Sequence, residues 1–132
     1  MAKVPARPKG QKEKVATLRR GEIYLRSFDP TVGHEIKKTR PALVIQNDVG
    51  NRYSSLTIVA AVTSTVSAVP YPVEVIIEPT LANGLDSRSS IRLDQIRSVD
   101  RQRLIRRLGV LDSASLTRVD EAIKISLGLI KM

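Results

Sequence analysis

The sequence predicts a mainly β domain ending in one helix: a small, strongly curved antiparallel sheet or barrel with a helix on it. Three observations carry this expectation. Short runs rich in β-branched residues are separated by Asn, Asp, Gly and Pro, the residues that turn a chain. In the last segment the apolar residues change to three- and four-residue spacing, the helical period. The chain has 132 residues, 42% of them hydrophobic, which suits one domain with one small core.

Residues 1–19 contain Pro5, Pro8, Gly10 and many charges but few large apolar groups. They bury too little surface to offset the entropy of ordering, and a disordered basic arm is expected. Residues 1–20 hold seven Lys and Arg against Glu13 alone, leaving 15 against 12 for the rest. Most of the formal net charge of +9 therefore sits in the arm. Such an arm either binds nucleic acid or is simply solvated.

The folded domain is expected over residues 20–132. Residues 21–28 mix Ile23, Tyr24 and Leu25 with polar neighbours and read as a strand, which Asp29-Pro30 ends. A loop runs through Gly33 to Thr39, and Pro41 forces Arg40 towards an extended backbone. Residues 42–46 form a central strand, and Asn47, Asp48, Gly50 and Asn51 mark a turn. Residues 56–63 (LTIVAAVT) give the clearest strand signal. Over residues 71–78, Val73, Val75 and Ile77 share one face, with Glu74 and Glu78 on the other. Asn83-Gly84 is a turn. Residues 89–93 alternate again, residues 96–99 continue that sheet after a bend, and residues 103–110 add a further strand. Asp112 or Ser113 caps a helix whose apolar stripe is Leu116, Val119, Ile123, Leu127 and Ile130, facing the sheet or a partner. A closed barrel and an open sheet are both compatible with this pattern.

Several chemistries are excluded. Cysteine is absent, so there is no disulfide framework and no thiolate site, in keeping with a reducing cytoplasm. No apolar run is long enough to span a bilayer, and the N-terminus lacks a signal-peptide stretch. There is one histidine, and no zinc-ligand spacing, EF-hand, Walker-type loop or Gly-x-Ser-x-Gly elbow. No metal or cofactor is expected. Any catalysis must run on Arg, Asp, Glu, Thr and His34.

Arg92 and Asp94, two apart in a strand, leave the same face. They read as a plain ion pair or as a phosphate-binding guanidinium beside a carboxylate. His34 and Glu35 precede Lys37, Lys38 and Arg40 in the first loop, where a lone histidine is most simply solvated. Thr63 ends the strongest strand, and alone it is a β-branched strand residue.

Ordered motifs change the weight of these residues. Residues 20–51 (RGEIYLRSFDPTVGHEIKKTRPALVIQNDVGN) resemble the opening of the MazF/PemK toxins: a basic residue and glycine, a strand, Asp-Pro, Gly-x-Glu, Arg-Pro, an apolar strand, then Asn-Asp-x-Gly-Asn. The resemblance continues at VAAVTS (59–64), YPVEV (71–75), LDQIRSVDRQRL (93–104) and VDEAIKISLGLI (119–130). It implies an SH3-like small barrel with a C-terminal helix, working as a homodimer in the cytoplasm. It implies metal-independent cleavage of single-stranded RNA at short motifs, leaving a 2′,3′-cyclic phosphate and a 5′-OH, and a MazE-like antitoxin as partner. By position it implies Arg40 and Thr63 as the site of one branch of the family, and His34, Arg92 and Asp94 as that of the other.

Arginine stays protonated, with a pKa above about 12, so Arg40 and Arg92 suit charge stabilisation rather than base catalysis. Proton transfer then falls to Asp94 or Glu35 as base, with His34 helping as acid. Glu35, Lys37, Lys38, Ser64 and Gln95 are the candidates for contacting RNA. With only Tyr24, Phe28, Tyr53 and Tyr71 as aromatics, readout dominated by stacking is not expected. The competing readings are a gyrase-inhibiting toxin of similar fold, as in the related CcdB group, and a non-enzymatic RNA-binding barrel.

Overall fold

A computed structural model describes residues 17–27 and 39–131. Six strands form one antiparallel sheet: β1 (Glu22–Ser27), β2 (Thr39–Val44), β3 (Leu56–Thr63), β4 (Glu74–Ile77), β5 (Ser89–Asp100) and β6 (Leu104–Val110), in the spatial order β4-β5-β3-β2-β1-β6. A short helix, α1 (Asp48–Tyr53), links β2 to β3, and α2 (Ser113–Ser126) follows β6. The mainly β fold with a C-terminal helix matches the sequence expectation.

Strand alternation sends side chains to two covered faces. On one face Ile23, Leu43, Ala60, Val62, Val75, Ile91 and Leu93 meet Val119 and Ala122 of α2. On the other, Leu18, Tyr24, Ala42, Val44, Val59, Val99 and Leu104 form a second cluster. Leu18, which falls within the expected arm, is buried in this second cluster. Residues 1–16 lie outside the described residues.

A bulge bends the sheet. Ala60 pairs with Ile96 and Ala61 with Arg92, so Leu93, Asp94 and Gln95 of β5 have no counterpart on β3. Inserted residues kink a strand and increase its twist. The two segments expected at 89–93 and 96–99 are thus one strand folded over this bulge.

The curled sheet closes without a ladder between its edge strands among the described residues. The turn after β4 instead abuts β6, where the Val110 N–H donates to the Ala82 carbonyl at 2.9 Å. Two glycines permit the approach. A Cβ on Gly109 would lie 2.1 Å from the Ala82 carbonyl oxygen, and one on Gly84 would lie 2.1 Å from that of Leu108. The buried Asn83 rigidifies this turn, its Oδ1 accepting from the N–H groups of Thr80 and Leu85, each at 3.0 Å.

The expected turn at Asn47–Asn51 is instead α1. Turn formers are also helix cappers, and the Asn47 Oδ1 accepts the Gly50 N–H at 2.8 Å. Asn51 is fully buried, its Oδ1 accepting from Gln46 Nε2 at 3.0 Å and Thr57 Oγ1 at 2.7 Å. Of the two candidate caps of α2, Asp112 does the capping, accepting the Ser115 N–H at 2.9 Å. The helix stops at Ser126 because Gly128 adopts φ +73° and the Leu129 N–H turns back to the Lys124 carbonyl. Leu127 and Ile130, expected on the buried stripe, are consequently exposed.

Replacing Gly109 by alanine should lower stability by about 1–3 kcal/mol, because backbone cannot move aside as a flexible side chain can. Urea unfolding of Gly109→Ala against wild type checks this.

Candidate active site

Strand register assembles the site in rows across the face that carries the second cluster. Arg26 pairs with Arg40 on the β1–β2 hairpin. The β2–β3 ladder runs Val44↔Val59, Leu43↔Ala60, Ala42↔Ala61 and goes no further. Extending the same register by two residues sets Arg40 opposite Thr63. Pro41 has no N–H to continue the ladder, which explains why it stops there. On the far side of β3, Thr63 pairs with Ser90 and Ala61 with Arg92, and Arg92 pairs with Glu74 of β4.

Alanines at 42 and 61 leave a hollow where larger side chains would fill the sheet surface. The result is a cleft of about 280 Å³ lined by Arg26, Arg40, Arg92 and Arg97, with Thr63, Thr65 and Gln95 among its polar groups. Arg40 also borders a neighbouring depression of about 340 Å³ that includes Ser64, Asp86 and Ser87. Arg40 and Thr63 thus share one cleft with Arg92 and Gln95, and Ser64 lies next door. His34, Glu35, Lys37 and Lys38 lie outside the described residues. The described residues Ser27 and Thr39, on either side of them in sequence, are paired, and Thr39 adjoins Arg40.

Four guanidinium groups line the cleft, and Arg92 among them is met by the carboxylates of Asp94 and Glu74. Like charges close together on a sheet face repel, and Arg97 and Arg103 act on Arg26 in this way. Arg26 is also buried. Burial first, then the charges of Arg97 and Arg103, push its guanidinium pKa below the ordinary value. An anion in the cleft would relieve this repulsion. Thr63 is arranged to donate to such an anion: its Oγ1 accepts the Thr65 N–H at 3.1 Å, which leaves the hydroxyl proton free to point elsewhere.

Arg92 and Asp94 do form an ion pair, with Nε 3.0 Å from Oδ1 and Nη2 2.7 Å from Oδ2. This two-pronged contact holds the Asp94 carboxyl below the ordinary carboxylate value and raises the Arg92 guanidinium. Asp94 is not among the residues lining the cleft. Among the described residues no three His, Cys, Asp or Glu side chains come together as a metal-holding group. No helix among them is long and apolar enough to cross a membrane.

Sequence reasoning did not single out Arg26, Arg97, Thr65 or Glu74. Arg26 and Arg97 lie on strands as isolated charges, and only the register brings them to the cleft. A signal existed for Arg97, since it falls within the LDQIRSVDRQRL motif.

Residues 19–127 match the family model described as PemK-like, MazF-like toxin of type II toxin-antitoxin system. The chain is 43% identical over 113 residues to endoribonuclease EndoA of Bacillus subtilis (strain 168), covering 86% of this chain and 97% of that protein. It is 43% identical over 112 residues to endoribonuclease MazF of Staphylococcus epidermidis, covering 85% and 92%. Among solved structures, a MazE-MazF crystal form from Deinococcus radiodurans superposes with a TM-score of 0.72 at 29% identity, over 86% of this chain and 98% of that one. A mycobacterial endoribonuclease solved with its cognate antitoxin has the same fold, with a TM-score of 0.71 at 22% identity, over 87% and 99% of the two chains. Fold, motif order and a match over most of its length agree: the chain belongs to the PemK-like, MazF-like toxins of type II toxin–antitoxin systems.

Proposed function

We propose that this chain is the toxin endoribonuclease of a toxin–antitoxin pair, cleaving single-stranded RNA at short motifs without a metal. The observation that carries the reading is the cleft in which Arg40 and Thr63 stand together among further guanidinium groups. The names of the 43%-identical relatives, both endoribonucleases, support it. The MazE-MazF assembly of a structural neighbour supports a MazE-like antitoxin as partner. A homodimer working in the cytoplasm is part of the same reading.

In this mechanism the ribose 2′-oxygen attacks the adjacent phosphorus and the bond to the 5′-oxygen breaks, giving a 2′,3′-cyclic phosphate and a 5′-OH. The extra negative charge of the phosphorane is met by Arg40 and Arg92, whose planar forks match pairs of phosphoryl oxygens. Thr63 donates its hydroxyl proton in a hydrogen bond to a non-bridging phosphoryl oxygen. A base must remove the 2′-proton and an acid must protonate the leaving 5′-oxygen. Asp94, with its carboxyl depressed and both oxygens on Arg92, is a weak base, and it serves better to orient that guanidinium. Glu35 as base and His34 as acid complete the proposal. Lys37 and Lys38 add cationic contacts to the backbone. Gln95 and Ser64 supply hydrogen bonds to splayed bases.

The test is incubation with a single-stranded RNA in excess chelator. Cleavage should persist, and the new ends should accept phosphate from a polynucleotide kinase without prior phosphatase treatment. Intact RNA, or 5′-phosphate ends, would sink the reading. Arg40→Ala and Thr63→Ala should each lose about a hundred- to thousandfold in rate with folding intact, the usual cost of one donor to a developing oxyanion.

The pH profile separates the two roles of a carboxylate. Because Arg92 lowers the Asp94 value, Asp94 is ionised throughout pH 5–8 and contributes no limb there. Asp94→Asn should therefore reduce the rate across this range while leaving the positions of both limbs unchanged. A displaced limb would assign proton transfer to Asp94 itself.

A further inference from the structure

Glu74 is a carboxylate that the mechanism above does not use. Its side chain is only 2% exposed, although it belongs to β4 at the edge of the sheet. Burying an ionised carboxylate is costly unless it is paired and hydrogen-bonded, and each of its partners has a bearing on the cleft. One oxygen lies 3.3 Å from Arg92 Nε, across the Arg92↔Glu74 pair of the β4–β5 ladder. The same oxygen accepts the Ser67 hydroxyl at 3.3 Å, and the other accepts the Tyr71 N–H at 3.1 Å. Ser67 and Tyr71 belong to the β3–β4 connection, residues 64–73. That connection begins with Ser64 and Thr65, which border the neighbouring depression and the cleft respectively.

Arg92 is thus gripped from two sides. Asp94 holds it with two bonds, and Glu74 shares the Nε end while also fastening the connection. One guanidinium against two carboxylates leaves this group of three with a net negative charge. A phosphate can recruit Arg92 only if this grip sets the guanidinium in place without immobilising it on Asp94. The Glu74 pull on Nε opposes a full retreat onto Asp94. Because that oxygen also accepts from Ser67, the position of the 64–73 connection enters the position of Arg92.

We infer that Glu74 is a positioning residue: it sets the Arg92 guanidinium for phosphate and couples it to the β3–β4 connection. This inference rests on the ribonuclease reading and deepens it. It requires the effect of Glu74 to pass through Arg92.

A double-mutant cycle tests that requirement. Glu74→Gln keeps the shape and one acceptor but removes the charge. With Arg92 present it should lower kcat roughly tenfold and leave KM within about twofold, as expected when a charge-assisted contact to a transition-state group is lost. In an Arg92→Ala background the same change should have no further effect. Ser67→Ala, which cuts only the tie to the connection, should lower kcat by about two- to threefold with Arg92 present and not in its absence. It also serves in the cycle if Glu74→Gln does not fold. Equal losses in both backgrounds, or wild-type kcat in the single variants, would overturn the inference. RNA left intact by the wild-type protein would instead overturn the ribonuclease reading, and that control is run first.

Discussion

A missing N–H at Pro41 shapes the centre of this molecule. β2 and β3 are interior strands, and an uninterrupted ladder between them would run to their ends. The paired residues stop at Ala42↔Ala61, and the next position on β2 is the one residue type that cannot donate. Beyond it the backbone leaves room beside Arg40 and Thr63, and the cleft occupies that place. The same proline fixes Arg40 in extended geometry, so one residue both ends the pairing and aims the guanidinium.

The site illustrates how a fold tolerates an unfavourable charge arrangement. Arg97 and Arg103 press like charge on the buried Arg26, and burial adds to the cost of its charged form. Packing elsewhere bears the cost. The clusters on the two faces hold the strands, α2 covers one face, and the Asn51 network ties α1 to β3. The small side chains of Ala42 and Ala61 do the opposite of stabilising, since they withhold contacts to keep a hollow open.

Sequence reasoning reached the elements whose signals are local. LTIVAAVT is β3, and Asp112, one of two expected caps, caps α2. Arg40 and Thr63, named by the family resemblance rather than by local pattern, share the cleft. What it missed depends on pairing. Alternation separates Val75 and Ile77 from Glu74, but it does not say that both faces are covered, so a residue taken for the polar face is buried against Arg92. A bend between residues 93 and 96 was legible, but that it is a bulge whose three residues lack counterparts on β3 follows only from the pairing. The N-cap chemistry of Asn47 is identical to turn chemistry, and only the following backbone tells helix from turn. Leu127 keeps the helical spacing, yet Gly128 ends the helix before that spacing can be used.

That the cations lining the cleft among the described residues are all guanidinium groups has a physiological corollary. Arginine holds its proton over any acidity a cell encounters, so the attraction these side chains exert on a polyanion is effectively constant during acid or alkaline stress. Dissolved electrolyte is the remaining environmental control on that attraction. Mobile ions shorten its reach to about 8 Å at physiological strength, confining capture to strands already close to the surface. On the proposed ribonuclease reading, a cell that swells or shrinks osmotically would thereby retune substrate capture without touching the proton-transfer step.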